Sequence, residues 1–322
     1  MSTTPAGSDE WRRRLESVLG TPATDGNEVR VLRNGVEIFP AMLEAIDNAD
    51  RSVDLVTFVY WHGDIAQRFA SALARAARRG CRVRVLLDAV GARKVRDDLI
   101  DEMEGAGCVV RWFRPVAGVD LGDANHRTHR KILVCDSAVG FTGGVGIADE
   151  WDGDARDQSE WRDTHLRIEG PAVAGLQAGF IDNWADENDD AFDPASEHLV
   201  SERAVGSSTM SVIRGSGEET YAELLDAGVD VQAYATSMMH AKVAVVDGVI
   251  ATVGSANVNR RSTQFDEEAN VVLFDPDLIA TLEEHLADDL RSANQIDPAD
   301  WAERGLLQRA GEQLSDVVSR WL

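Results

Sequence analysis

From about residue 31 onward, segments in which apolar residues have the spacing of a helix alternate with segments in which they have the spacing of a strand. Residues 36–49 and 65–80 carry apolar side chains three and four positions apart, which predicts two amphipathic helices. Residues 52–61 and 81–90 are nearly continuous apolar runs, which predicts two buried strands. Strands that alternate with helices in this way indicate an α/β fold with a mostly parallel sheet covered by helices on both faces.

The chain repeats this pattern around one short motif. The stretch HRKILVCDSAVGFTGG begins at His129, and HAKVAVVDGVIATVGS begins at His240. The stretches align without a gap, and similarity of this length indicates an internal duplication. We therefore predict an N-terminal extension at 1–20, a first α-β-α half at 21–200 and a second half at 201–322, related by a pseudo-twofold axis.

The second half is shorter than the first upstream of the motif. The segment from Val31 to Gly107 is about 60 residues longer than the matching segment from Val212 to Gly228. A deletion of that size, placed near 214–218, removes the equivalent of two helices and two strands. We expect it to leave a sheet edge or an apolar face of the second half uncovered.

Composition narrows the class of partner. The 322 residues are 44% hydrophobic and 27% charged, as in ordinary globular proteins, and the formal net charge is −24 at pH 7. A negative chain is not attracted over long range to nucleic acid, so a nucleic-acid partner is disfavoured. Three cysteines without paired spacing indicate a reducing compartment. Since the sequence shows no signal-peptide layout and no apolar run of membrane-spanning length, we expect a cytoplasmic protein with at most peripheral membrane contact.

Each motif directs two reactive side chains to one side of the chain. A histidine and a lysine two residues apart on a strand point to the same face, whereas an aspartate seven residues after the histidine points to the other. An imidazole can act as a nucleophile or a general acid near neutral pH, and an ammonium holds an anion. Two such motifs around one site suit a phosphodiester, because one histidine can attack phosphorus while the other protonates the leaving oxygen.

Lysine usage favours this interpretation. The chain has 29 arginines but only three lysines, Lys94, Lys131 and Lys242, and two of the three lie in the motifs. The alternative is that each histidine caps a strand and each lysine extends to solvent. That alternative is reasonable for a single motif and disfavoured for two motifs with matched glycines downstream.

The doubled H-x-K-x4-D motif resembles that of the phospholipase D superfamily. The stretches HRKILVCDSAVGFTGGVGIADEW, WRDTHLRIEGPAV and HAKVAVVDGVIATVGSANVNRRS are most similar to its bacterial cardiolipin synthase branch. The resemblance extends from about residue 31 to the C-terminus outside the gap. It implies a phosphohistidine intermediate, no metal or other cofactor, and transfer of a phosphatidyl group to water or an alcohol.

The resemblance also implies roles for the motif residues. His129 would be the nucleophile, His240 the acid and later the base, and the two lysines would hold phosphate oxygens. The aspartates would tie each motif strand to its surroundings. The six residues that the motifs mark as catalytic are His129, Lys131, Asp136, His240, Lys242 and Asp247.

Four residues outside the motifs are implied by the same resemblance. Ser255 and Asn257 would bind phosphate, whereas the first copy has only glycine at the two matching positions. Asp163 and Glu268 would orient the histidines through their second ring nitrogen, which fixes the tautomer.

These inferences lead to one main hypothesis and two alternatives. The main hypothesis is phosphatidyl transfer or hydrolysis on a phosphatidylglycerol-like phospholipid. The first alternative is a nuclease or phosphodiesterase of the same superfamily. The second is a lipid-binding or partner-binding protein whose catalysis is impaired by the deletion, with dimerisation as one way to tolerate it.

Two further patterns have both a structural and a functional interpretation. Trp61, His62 and Asp64 follow a predicted strand, where they line a head-group pocket or simply pack. An apolar stripe in the last helix, at 301–322, packs on the protein or contacts a membrane surface.

Overall fold

The computed structural model describes residues 8–115, 126–187, 200, 203–213, 229–257 and 266–296. The site of the predicted deletion at 214–218 and the predicted C-terminal helix at 301–322 lie outside these residues. None of the described helices is both long and apolar enough to cross a membrane.

The first half contains five helices and seven strands in its described part. They are α1 (Ser8–Leu19), β1 (Thr24–Arg33), α2 (Asn34–Asn48), β2 (Ser52–Thr57), α3 (Asp64–Arg78), β3 (Arg82–Asp88), α4 (Asp97–Gly105), β4 (Val109–Phe113), β5 (Ile132–Cys135), β6 (Val139–Gly143), β7 (Thr164–Glu169) and α5 (Val173–Asp186). A short 3-10 helix, Asp149–Trp151, lies between β6 and β7.

The second half contributes one described helix and six described strands. They are β8 (Ser208–Ile213), β9 (Gln232–Tyr234), β10 (Val243–Val246), β11 (Ile250–Gly254), β12 (Asn270–Leu273), α6 (Pro276–Arg291) and β13 (Ala293–Gln295). Within the described chain, β9 and β13 pair separately from all other strands.

The remaining eleven described strands form one sheet in the order β10-β11-β12-β8-β1-β7-β6-β5-β2-β3-β4. The predicted α/β class is confirmed, but the sheet is mixed rather than mostly parallel. Parallel pairing is confined to β2–β3 and β3–β4, where α3 and α4 make the crossovers. The strands that follow the motifs pair antiparallel, because short turns rather than helices join β5 to β6 and β10 to β11.

The two halves repeat one strand order. The series β1-β7-β6-β5 matches β8-β12-β11-β10, and the halves meet where β1 pairs with β8. In the first half β5 pairs with β2 on the side away from β6 and is wholly buried. Among the described strands β10 pairs only with β11, and Val246 on it is 42% exposed. A sheet edge that ends at β10 fits the predicted deletion, since no described strand corresponds to β2 or β3.

Helices cover both faces of the sheet. On one face, α2, α3 and α4 bury the apolar side chains of the first half. On the opposite face, α5 and α6 cover one continuous core that crosses from the first half to the second. The extension helix α1 packs through Leu15 against Val272 and Phe274, so it belongs to the layer that covers the second half.

Candidate active site

Both motif histidines lie at the start of a strand. His129 and Lys131 directly precede β5, and His240 and Lys242 directly precede β10. The four residues therefore lie in the segments that lead directly into the N-terminal ends of β5 and β10.

Each motif segment lies alongside a segment of the other half. The N–H of His129 donates to the carbonyl oxygen of Glu267 at 2.9 Å, and the N–H of His240 donates to that of Arg162 at 2.8 Å. Short parallel bridges, Thr128 with Glu267 and Arg162 with Met239, extend both contacts. The acidic residues that follow next in these partner segments are Glu268 and Asp163.

The two histidines and two carboxylates pair across the halves. Nδ1 of His129 lies 2.9 Å from Oε1 of Glu268, and Nδ1 of His240 lies 2.7 Å from Oδ2 of Asp163. Each ring thus belongs to one half, and the carboxylate that binds it belongs to the other. A carboxylate at Nδ1 requires the proton there, so a neutral ring presents its lone pair at Nε2.

Burial sets the charge state of these groups. Desolvation lowers the pKa of His129 to about 4 and also lowers the pKa of His240. Burial opposes ionisation of Glu268 as well, but its contact with the His129 ring and the nearby Lys131 ammonium bring its pKa down to about 2. The pKa of Asp163 is likewise lowered, against burial, by His240. Near pH 7 the site therefore holds two carboxylates and two neutral imidazoles.

The lysines stay inside the site. Lys131 is 3% exposed, which excludes the alternative in which it extends to solvent. Its Nζ donates to the carbonyl oxygen of His129 at 2.8 Å, and Nζ of Lys242 donates to that of His240 at 2.5 Å. Desolvation lowers the pKa of Lys131 to about 7 and that of Lys242 to about 8.

Charges from the two motifs act on one another. The ammonium of Lys242 helps to lower the pKa of His129, and that of Lys131 helps to lower the pKa of His240. Groups that influence one another in this way lie within electrostatic reach of a single anion. The two histidines and the two lysines are therefore close enough for each motif to influence the charge of the other.

Ser255 is placed differently from the sequence expectation. It is fully buried, and its hydroxyl donates to Oε2 of Glu268 at 2.5 Å. The matching Gly144 leaves no room for a side chain, since a Cβ there would lie 2.2 Å from Oδ1 of Asp163. Nε1 of Trp151 donates to Asp163 at 2.9 Å. The indole thus donates to the carboxylate that binds His240, as the Ser255 hydroxyl donates to the carboxylate that binds His129. The expected second phosphate ligand, Asn257, is half-buried at the end of a described segment.

The motif aspartates lie away from the histidines. Asp136, in the turn between β5 and β6, accepts backbone hydrogen bonds from Asp50, Arg51 and Ser52 at 2.8 to 2.9 Å. Asp247, in the matching turn, is exposed and has no hydrogen-bond partner in the described part of the chain. Asp136 therefore fastens the motif strand to the start of β2, whereas no described strand lies at the corresponding place beside Asp247.

Aromatic rings beside the histidines were not identified from the sequence. The ring of Phe58 contacts that of His129 edge-on, with centroids 5.1 Å apart. The rings of Trp151 and Trp161 lie 5.1 and 5.6 Å from that of His240. The two histidines are therefore in different apolar surroundings.

Two polar side-chain contacts between the halves, which we call the clamps, were also not identified from the sequence. On α5, Asn183 donates through Nδ2 to Glu267. On α6, Asp289 binds Arg162 through Nε at 3.0 Å and Nη2 at 2.9 Å. Each clamp holds the residue directly before a histidine-binding carboxylate. No local pattern reveals them, because 84 and 127 residues separate the partners along the chain.

The chain is similar to a known protein family and to several known proteins. Residues 42–151 and 188–290 match the family model described as "Cardiolipin synthase, PLD-like domain". Cardiolipin synthase of Geobacillus kaustophilus is 30% identical, over 92% of this chain and 73% of the relative. Cardiolipin synthase 1 of Bacillus anthracis is 26% identical, over 93% and 74%. The chain therefore belongs to the PLD-like family of cardiolipin synthases, which confirms the membership expected from the motifs.

The comparisons also bear on the fold and on chain length. The structure of phosphatidylserine synthase from Haemophilus influenzae Rd KW20 superposes with a TM-score of 0.69 at 13% identity, over 97% of this chain and 99% of that chain. This likeness supports the two-half fold. The alignment with the Geobacillus relative runs over 366 positions, more than the 322 residues of this chain, so the relative has segments that this chain lacks.

Proposed function

We propose that the protein transfers a phosphatidyl group from a phosphatidylglycerol-like lipid to water or an alcohol through a phosphohistidine. One observation carries the proposal. Each histidine is held at Nδ1 by a carboxylate of the other half, and in the described chain no hydrogen bond occupies Nε2 of either ring. A lysine lies two residues after each histidine, and Lys131 is buried whereas Lys242 is half-buried.

In the first step Nε2 of His129 attacks phosphorus, and the bond from phosphorus to the leaving glycerol oxygen breaks. His240, protonated when the anionic substrate enters, gives its Nε2 proton to that oxygen. The products are phosphatidyl-His129, free glycerol and neutral His240. Lys131 and Lys242 hold the non-bridging oxygens, where negative charge develops.

In the second step His240 acts as a base. Its Nε2 takes the proton of the incoming hydroxyl, the hydroxyl oxygen attacks phosphorus, and the bond to His129 breaks. Both histidines return to their starting states. Water as acceptor yields a phosphatidic acid, and the glycerol hydroxyl of a second phosphatidylglycerol yields cardiolipin.

The low pKa of His129 supports its role as nucleophile. An imidazole with a pKa of about 4 is almost wholly neutral at pH 7, so its lone pair is available. Glu268 remains ionised and favours the positive ring that forms as the bond to phosphorus is made. The assignment of His129 rather than His240 follows the N-terminal position of its motif.

Acid-quenched turnover of phosphatidylglycerol vesicles tests the mechanism. The His240→Asn variant should accumulate a phosphatidyl adduct on His129, because the step that releases it lacks its base. The His129→Asn variant should form no adduct, and His62→Asn, at an exposed position, should behave as the parent. An adduct on His240 in the His129→Asn variant would reverse the two roles, and lipid turnover without any adduct would contradict the covalent path.

A binding protein without turnover is the second candidate, because the described second half has no counterpart of β2 and β3. It predicts that the parent and the His240→Asn variant bind anionic vesicles equally well while neither releases glycerol. Cleavage of DNA without action on phosphatidylglycerol would instead favour the nuclease.

A further inference from the structure

Two of the three lysines of the chain form part of the candidate active site. Lys131 and Lys242 belong to it, and the third, Lys94, has its ammonium 3.8 Å from the centre of the Trp61 ring. Lys94 is exposed, whereas Trp61 is half-buried. In a chain with 29 arginines, a lysine beside an aromatic ring near this site calls for a chemical explanation.

The loop that carries Lys94 is fixed to the segment that carries His129. Asp88, at the end of β3, accepts the N–H groups of Val90 and Gly91 at 2.9 and 3.0 Å. The same carboxylate binds Nε of Arg127 at 3.0 Å and the N–H of Thr128 at 3.2 Å. One buried carboxylate thus joins the start of the loop to the residues just before the nucleophile.

The same loop packs against the aromatic residues that follow β2. A Cβ on Gly91 would lie 2.3 Å from the carbonyl oxygen of Phe58, so only glycine allows this approach. The carbonyl oxygen of Gly91 accepts Nε1 of Trp61 at 2.8 Å. The close approach of Gly91 to Phe58 and its hydrogen bond with Trp61 hold the loop that carries Lys94 beside these two residues.

We call Phe58, Trp61 and Trp151 the aromatic shelf. The ring of Phe58 is 5.1 Å from that of His129. The ring of Trp61 is 6.2 Å from that of Trp151, which in turn is 5.1 Å from that of His240. Phe58 therefore contacts one histidine and Trp151 the other, and Lys94 lies on Trp61, the ring that is in contact with Trp151 and is more exposed than it.

The shelf is built from the first half alone. Phe58 and Trp61 follow β2, and Lys94 follows β3. No described strand of the second half corresponds to β2 or β3, so the pseudo-twofold axis does not repeat this cation among the described residues. A feature present on one side only can distinguish the two substrates of a transfer reaction, the donor and the acceptor.

We propose that Lys94 and Trp61 form a subsite for the phosphate of the acceptor phospholipid. The inference rests on the proposed function and names residues of this chain that bind the phosphodiester of such an acceptor. The ammonium binds that phosphate, and the indole packs against the ammonium and the glycerol carbons. Lysine suits the place, because an ammonium on a flexible stem can bind a mobile lipid phosphate without the fixed orientation of a guanidinium.

The choice between two acceptors tests the subsite. The full-length protein, on phosphatidylglycerol vesicles, divides its phosphatidyl group between water and phosphatidylglycerol, and the ratio of cardiolipin to phosphatidic acid is measured. Lys94→Met should lower this ratio about tenfold, as expected for loss of one charge-assisted contact. Lys94→Arg should retain part of it. The matched control is Arg93→Met, which removes the adjacent exposed cation and should leave the ratio as in the parent.

A binding measurement separates this inference from the proposed function. Tryptophan fluorescence is titrated with sn-glycerol 3-phosphate, and with glycerol as the uncharged control. The parent should bind the phosphate more tightly than Lys94→Met does, and glycerol should not distinguish them. If the parent fails to turn over lipid but its binding of sn-glycerol 3-phosphate still depends on Lys94, the proposed function fails and the subsite stands. If Lys94→Met behaves as Arg93→Met in every assay that gives a signal, or if the parent binds no phosphate and makes no cardiolipin, the subsite is wrong.

Discussion

Ser255 was expected to bind phosphate, and in the structure its hydroxyl contacts a carboxylate instead. The motif pattern suggested a phosphate ligand, but the hydroxyl donates to Glu268 and is shielded from solvent. Glu268 in turn binds His129. This geometry suits a serine that supports the orientation of His129, the proposed nucleophile, rather than one that binds the substrate.

The Ser255→Ala variant distinguishes these two roles. We expect kcat for phosphatidylglycerol to fall about tenfold with KM within about twofold, because the variant loosens the ring and leaves substrate contacts in place. Steady-state kinetics on vesicles measure both constants, with Ser159→Ala at an exposed position as control. A raised KM at unchanged kcat would instead support the expected role of Ser255 as a phosphate ligand.

His165 is a buried histidine that the proposed mechanism does not use. It lies on β7 two residues after Asp163, is 1% exposed, and its Nδ1 has no hydrogen-bond partner in the described structure. Desolvation lowers its pKa to about 4. The second half has Asn270 at the matching register, where it pairs with Gly254 as His165 pairs with Gly143.

This histidine should make stability depend on pH. Above pH 6.5 both folded and unfolded chains keep it neutral, whereas between pH 6.5 and 4 the unfolded chain binds a proton that the fold excludes. Stability is therefore lost as the pH falls through that window. The substitution His165→Asn should reduce the loss between pH 7 and pH 5 by about 2 kcal/mol. Urea unfolding at both pH values, with His62→Asn as control, measures the difference, and an unchanged loss would contradict the assignment.

At the scale of elements, the two motif strands are alike in sequence but differ in what they are attached to. Asp136 and Asp247 have nearly the same backbone conformation, with φ of 55° and 53°. Asp136 accepts three N–H groups at the start of β2, and Asp247 accepts none in the described part of the chain. The same motif position thus has a structural partner in the first half and none among the described residues of the second.

The pair offers a matched test. Asp136→Ala should lower the free energy of unfolding by about 2 kcal/mol, because three N–H groups lose a charged acceptor and part of the cost is recovered from water. Asp247→Ala should change it by less than about 0.5 kcal/mol, as for other exposed positions. Urea midpoints of the two variants give the comparison. Equal effects would mean that the second turn has a partner comparable to the start of β2.

At the scale of the whole molecule, the candidate site exists only when both halves fold together. Each histidine depends on a carboxylate of the opposite half, and the clamps from α5 and α6 hold the segments that carry those carboxylates. The core that lies under α5 and α6 is also shared by the halves. A single chain therefore supplies a complete set of two histidines, two lysines and two orienting carboxylates.

Mixing inactive variants tests whether one chain is enough. His129→Asn and His240→Asn chains, combined after purification or produced together, should show no more activity than the two alone, because neither chain can complete a site. Mixtures of each variant with the parent should retain activity in proportion to the parent. Activity restored by combining the two variants would show that the histidines of different chains meet in one site, and would require an oligomer.

The elements were predictable to the extent that they depend on local pattern. Strands β2 and β3 and helices α2 and α3 appear as apolar runs and amphipathic segments, and the structure has them at nearly the expected bounds. Pairing direction was less predictable, because the turns after β5 and β10 reverse the chain without changing its apolar pattern. The packing of α1 on the second half was also hidden, since its apolar stripe does not specify a partner.

The sequence by itself determined the α/β class and the family, and it predicted the duplication and the candidate histidines, lysines and carboxylates. The class and the duplication follow from periodicity and from a motif that occurs twice, whereas the family and the carboxylates follow from the resemblance of the stretches around the motif. Only the tertiary structure decided that the carboxylates cross over, that Ser255 binds Glu268, and that one aromatic shelf with Lys94 borders the site. The reason is distance along the chain, since 139 residues separate His129 from Glu268 and 77 separate His240 from Asp163. Which of such remote groups meet is decided when the halves pack and bury their charges.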